Sequence, residues 1–244
     1  MSRPLGVIAA TIAAAVFLTG SQAAASVQKP PAAQSAATGT ITTSGYGWKL
    51  TDWLGVYAAS PSETYTITFD TEAMRQRYTP YYTEALKQLQ AAGLHIKVGG
   101  VEPVDINQCG PAYHIQVTER YRPVGTPGWS KGVPCPWQPD GVGVGGLVIY
   151  NSEYWTGWPI SKAHLTNTIV HEILHAMGLD HPNTDLDNDG SVEPYECVQT
   201  SYGNKPIMCS PNGGYQTSNM GKLVGFDVNG VKALLANARA QGIS

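Results

Sequence analysis

The run His171-Glu172-Ile173-Leu174-His175-Ala176-Met177-Gly178-Leu179-Asp180-His181 constrains this chain more than any other part of it. Positions i and i+4 share one face of an α-helix, so His171 and His175 can reach a single ion at roughly 2.0–2.1 Å from each nitrogen. Glu172 projects to the flank of such a site. A carboxylate there accepts a proton from water rather than filling a ligand position. Gly178 stands three residues after His175, where a residue tolerant of left-handed φ ends the helix and turns the chain back. His181 then returns as the third donor. Three neutral imidazoles leave the fourth tetrahedral position to water, the donor set of a catalytic rather than a structural zinc ion. Asp180 offers an alternative oxygen, but imidazole suits zinc and three donors are already present without it.

This run resembles the signature of the metzincin zinc endopeptidases, His-Glu-x-x-His-x-x-Gly-x-x-His followed by a methionine-containing turn. The resemblance implies Zn²⁺ on His171, His175 and His181, Glu172 as general base, and Met208 of Pro206-Ile207-Met208-Cys209-Ser210 as the Met turn. Met220 is the second candidate for that turn. Some members carry a tyrosine two residues after the methionine, where this chain has Ser210; Tyr202 and Tyr215 read as packing aromatics. Gly178-Leu179-Asp180-His181 and the segment from Leu147 to Trp155 look most like the matrixin branch. In matrixin precursors a Cys-Gly pair caps the zinc. Here Cys109-Gly110 falls after two predicted strands, inside the expected catalytic region, and is not read as such a cap.

Around the motif the chain alternates between strand and helix signals. Tyr65–Phe69, Leu94–Val98 and Tyr113–Val117 alternate with period two, and Gly146–Tyr150 is an apolar run, so four strands are predicted. Thr71–Ala92 carries helical periodicity through Met74, Tyr78, Tyr82, Leu86 and Leu89, with Pro80 a bend or break and Gly93 the stop. His95 and His114 fall at polar strand positions. The Gly- and Pro-rich stretch from Pro123 to Gly145 predicts a long loop with a short edge strand. Helices are expected from Lys162 to Met177 and from Val228 to Ala240. This order resembles the metzincin catalytic domain and implies an α+β fold: a twisted, mixed sheet of four to five strands, an active-site helix, a Met turn and a C-terminal helix. In that family an antiparallel edge strand pairs with extended substrate.

The ends and the cysteines speak to compartment. Arg3, the apolar run Leu5–Leu18 and Ala23-Ala24-Ala25 read as a signal peptide over 1–25, which implies secretion. Residues 26–61 read as a flexible linker or short pro-segment that confers latency, its polar part from Ser26 to about Gly47 packing little, which leaves 62–244 as the catalytic domain. An apolar fraction of 42% supports a sizeable core. Cys109, Cys135, Cys197 and Cys209 are an even set in an exported chain and favour two disulfides. Three pairings exist, and sequence proximity favours Cys109–Cys135 and Cys197–Cys209. Net charge is only −3 with no dense basic run, which gives no reason to expect nucleic acid or an anionic membrane as partner.

A second metal signature follows the first. Residues 185–196 fit the twelve-residue EF-hand-type calcium loop, with Asp185, Asp187 and Asp189 at positions 1, 3 and 5 and Gly190 at 6. Ser191 supplies a backbone carbonyl at 7, Glu193 acts through water, and Glu196 is bidentate at 12. Pro194 and the short approach from His181 argue against flanking helices, so Ca²⁺ is expected to order an isolated loop and serve stability. The combined expectation is a secreted, monomeric zinc endopeptidase acting on proteins or peptides. The alternative is a secreted binding protein on the same scaffold that no longer cuts. The loop from Ile207 to Phe226, which would shape the specificity pocket, carries no readable selectivity signal.

Overall fold

The computed structural model describes residues 39–137, 139–211 and 219–244. The predicted leader, the first part of the predicted linker and Tyr215 lie outside the described residues. The described chain runs β1 (Ser44–Gly45), β2 (Trp48–Leu50), β3 (Ala58–Ala59), β4 (Tyr65–Phe69), α1 (Glu72–Ala91), β5 (Ile96–Val101) and β6 (His114–Arg120). It continues through β7 (Lys131–Trp137), β8 (Val142–Asn151), α2 (Lys162–Ala176), β9 (Leu179–Asp180) and α3 (Gly225–Ala240).

The main sheet has the order β3-β8-β6-β4-β5, with β7 added to β8. Its pairs are parallel except β7 on β8, which is antiparallel. Parallel neighbours need a crossover, and α1 supplies it between β4 and β5. The mixed sheet and helices fit the expected α+β class. Its strands number six rather than four or five, and β1, β2 and β9 form a second sheet of three. β7 is easy to underrate from sequence because it holds Pro134 and Pro136. Proline is tolerated at a sheet edge, and the register shifts between these two residues. Pro80 lies inside α1 without ending it, flanked by buried Tyr78 and Tyr82.

Past Gly47 the stretch read as linker or pro-segment joins the fold. Leu50, Val56, Ala58 and Ala59 are buried, β2 pairs with β9 and β3 with β8. Asn237 on α3 donates to the carbonyls of Thr42 (2.9 Å) and Tyr57 (2.6 Å), clamping this segment to the last helix. Strands of two or three residues are too short to show a period, so composition alone hides them.

The core exists largely to fix α2. Ser161 caps its N-terminus by accepting from His164 N–H (3.1 Å). From Leu165 to Leu174 every residue of α2 is buried, which makes it a central helix rather than an amphipathic surface one. Tyr150 on β8 stacks on Tyr78 at 4.4 Å between centroids and donates to the Ile169 carbonyl at 2.7 Å, so α1, β8 and α2 are joined through one ring. Gly178 then ends the helix at φ +104, and a Cβ there would meet Val56 Cγ1 at 2.7 Å. Its carbonyl accepts from Thr51 N–H at 2.8 Å, which ties the helix end to the N-terminal segment.

Candidate metal centre

α2 carries His171 and His175 on one face, and the turn at Gly178 brings His181 back against them. His181 Nε2 lies 3.1 Å from His171 Nε2 and 2.9 Å from His175 Nε2. The other ring nitrogens are committed to backbone. His171 Nδ1–H donates to the Ile207 carbonyl at 2.7 Å, and His175 Nδ1–H to the Leu179 carbonyl at 2.8 Å. A carbonyl only accepts, so both rings in their neutral form turn a bare Nε2 lone pair towards the same point. Lone pairs converging without a cation repel. A tetrahedral ion with N–metal bonds of about 2.05 Å spaces its ligands about 3.3 Å apart, within a few tenths of the distances observed.

Electrostatics keeps the rings neutral. Burial pushes the His171 imidazole well below its ordinary range, and positive charge on His175 or His181 would push it further. Burial likewise takes His175 down to about 4 and lowers His181. Metal binding needs this unprotonated form. Glu172 is buried beside them, and desolvation raises its carboxyl to about 8 against the opposing Gly132 N–H. That donor sits on β7, so the edge strand runs against the helix. Gly132 has to be glycine there, since a Cβ would lie 2.2 Å from the Glu172 carbonyl oxygen.

The histidines and Glu172 form the floor of a cleft of about 190 Å³, with Trp129, Ser130, Lys131 and Gly132 on one wall and Ser210 and Pro211 on the other. Met208 is buried in the main core. Its turn is pinned by Asp227 on α3, which accepts from Ile207 N–H (3.0 Å), Met208 N–H (3.2 Å) and Val224 N–H (2.9 Å). Burial still pushes that carboxyl up to about 6. The turn therefore delivers the Ile207 carbonyl to His171. Met220 lines a separate hollow with Arg77 and Tyr81, and Tyr202 is 90% exposed and absent from the cleft.

Asp180 points elsewhere than the three imidazole nitrogens. It accepts from Lys49 Nζ at 3.1 Å and Trp53 Nε1 at 3.2 Å, and its Oδ1 takes the His181 N–H at 2.8 Å. Against the desolvation that would raise it, the His181 N–H and Lys49 hold this carboxyl below its ordinary range. His95 is exposed and His114 pairs with Glu102 at 2.8 Å; neither joins a cluster of metal donors among the described residues.

The loop 185–196 brings its acidic residues together as the spacing predicts. Asp185, Asp187 and Glu196 present oxygens within 4.8 Å of one another, as do Asp187, Asp189 and Glu193. Asp185 accepts from Asn188 N–H (2.7 Å) and Gly190 N–H (2.9 Å), and Asp189 from Ser191 N–H (2.8 Å). Glu196 closes the loop on the N–H groups of Leu186 and Glu193. Neither flank is helical.

Both favoured cysteine pairs are bonded, Cys109–Cys135 and Cys197–Cys209. The first fixes the β5–β6 connection to β7, and the second fixes the end of the acidic loop to the residue after Met208. Lys49, Asn183, Gly132 and Asp227 are the supporting residues that sequence reasoning passed over. Each acts across a long separation, so no local pattern announces it. No protein-family model matches the chain, and no curated protein matches it in sequence.

Proposed function

We propose that this protein is a zinc-dependent endopeptidase of metzincin type, with His171, His175 and His181 as ligands and Glu172 as general base. The observation that carries this reading is the convergence of three imidazole Nε2 atoms whose ring orientation is set by the Ile207 and Leu179 carbonyls, beside a buried carboxylate in an open cleft. Bound there, the ion supplies Lewis acidity, making water a better acid and a carbonyl a better electrophile. Glu172 accepts the proton of the attacking water and returns it to the departing amine nitrogen, so no proton has to cross bulk solvent. Its burial raises the carboxyl to about 8, which makes it a stronger base for taking up the proton of the water. The Gly132 N–H holds the carboxylate against the edge strand. β7, paired among the described residues only with β8, offers its outer edge to an extended peptide.

Residues 185–196 are proposed to take Ca²⁺, because five carboxylates crowd one exposed loop and repel one another unless a cation is shared. Two disulfides favour an oxidising compartment and hence an exported protein. Among the described residues no helix is long and apolar enough to cross a membrane. The reading is tested by incubating the purified protein with casein, with and without a zinc chelator. Expected are one zinc per chain by metal analysis, cleavage lost on chelation, and recovery on adding zinc. A zinc-loaded protein that leaves casein and a proteome-derived peptide library uncut overturns it and favours the non-cutting binder.

A further inference from the structure

Beyond His181 the cleft opens into a second hollow of about 320 Å³, bounded by Trp129, Asn183, Val192, Glu193, Pro194 and Pro211. Trp129, His181, Ser210 and Pro211 border both spaces, so they form one continuous groove. The far wall comes from the loop that separates the third histidine from Met208. Trp129 and Val192, both lining it, are large apolar side chains left 49% and 55% exposed. Neither serves the core, and both gain by burial against a ligand.

The wall is built before any ligand arrives. Ser210 N–H donates to Asn183 Oδ1 at 2.8 Å, and Asn183 Nδ2 donates back to the Ser210 carbonyl at 2.9 Å. Tyr195 N–H reaches that same carbonyl at 2.6 Å, and Cys197–Cys209 closes the base. A preformed apolar hollow with fixed walls discriminates side chains by size without first having to order itself.

We propose that this hollow is a substrate subsite that receives a large apolar side chain, aromatic or branched aliphatic, from an extended peptide cut at the histidines. The inference rests on the peptidase reading above. A chain lying along the outer edge of β7 advances roughly 3.3 Å per residue, so the side chain entering the hollow belongs to a residue within about three positions of the scissile bond.

Cleavage-site profiling of a proteome-derived peptide library tests this with the wild type, Val192→Ala, Val192→Asp and Trp129→Ala. Val192 is exposed, so its variants do not disturb the core. The wild type should enrich Phe, Leu or Ile at one such position. In Val192→Asp the ratio of kcat/KM between a Leu peptide and its Gly counterpart should fall about tenfold, with Val192→Ala declining less in the same direction and Trp129→Ala at least as much. Metal-dependent cutting with an unchanged preference in all three variants removes the subsite and leaves the peptidase. No metal-dependent cutting by the wild type removes both.

Discussion

The histidine site and the acidic loop share one short stretch of chain, residues 171–196, yet they hold their donor atoms in opposite ways. The imidazoles are oriented by carbonyls outside the helix that carries two of them, Ile207 in the distant Met208 turn and Leu179 in β9 just past the helix end, and these elements are themselves fixed by α3 and β2. The carboxylates of the loop are oriented by the loop's own N–H groups, at Asn188, Gly190, Ser191 and Leu186, and stand in solvent. Burial suppresses charge at the first site and leaves it uncompensated at the second. The geometry of the first is therefore set by the surrounding fold, and that of the second by its own backbone.

The sharpest break with this contrast would be a fold-built site whose central carboxylate does nothing. Glu172→Ala should lower turnover on casein by about 10²–10⁴-fold. Zinc content should stay at one per chain, because Glu172 is not among the converging nitrogens. Turnover within a factor of two of wild type would remove Glu172 from the chemistry.

Asp227 probes the scaffold of the same site through pH. Its carboxyl stands at about 6 in the fold, where burial outweighs three N–H donors, and near 3.9 in an unfolded chain. The native state thus keeps a proton that the unfolded state gives up. That stabilisation is complete below about pH 4 and is lost as pH rises through about 6, at about 1.4 kcal/mol per unit, or about 3 kcal/mol in all. Asp227→Asn carries no such slope. Chemical denaturation at pH 4 and pH 7 should show the variant gaining about 3 kcal/mol on the wild type between them. A gap that is the same at both pH values would mean the three N–H groups already hold Asp227 ionised.

The acidic loop should answer to its ion instead. Calcium at about a hundredfold excess over Kd should add about 2.7 kcal/mol, a rise of roughly 5–10 °C in Tm for a domain of this size. Asp185→Ala should abolish that rise, since its carboxylate takes two backbone N–H groups and belongs to a donor cluster. A melting curve indifferent to calcium would leave the loop as ordinary turn structure.

The two regions also differ in how much of them the sequence displayed. The His and Asp spacings lie within single local elements, a helix with its turn and a twelve-residue loop, so geometry follows from periodicity and turn chemistry. Both disulfides join sequence neighbours and were legible for the same reason. What stayed hidden is the set of long-range supports. Asp227 pins a turn some twenty residues before it, with |i−j| of 20 and 19. Strand β7 is the edge strand expected between Pro123 and Gly145, its seven-residue length masked by its prolines, while β1 to β3 were hidden by their own shortness.

Lys49 is the smallest and most discriminating test of the contrast. It lies in β2, inside the segment 26–61 read as linker or pro-segment, and pairs with Asp180 at 3.1 Å while Trp53 donates to the same oxygen. Asp180 in turn accepts the His181 N–H, so the N-terminal segment reaches the third histidine through one carboxylate. The lysine side chain is 47% exposed, so Lys49→Met should leave the fold intact. Residues that hold a metal ligand in place usually contribute 10–100-fold to affinity, and this one acts at one remove, so zinc binding should weaken by about tenfold or less. Asp180→Asn should weaken it at least as much, and calcium binding should stay unchanged in both. Equal zinc affinity in wild type and both variants would mean that His181 is held by the turn at Gly178 alone, and that β2 supports β9 without tuning the site.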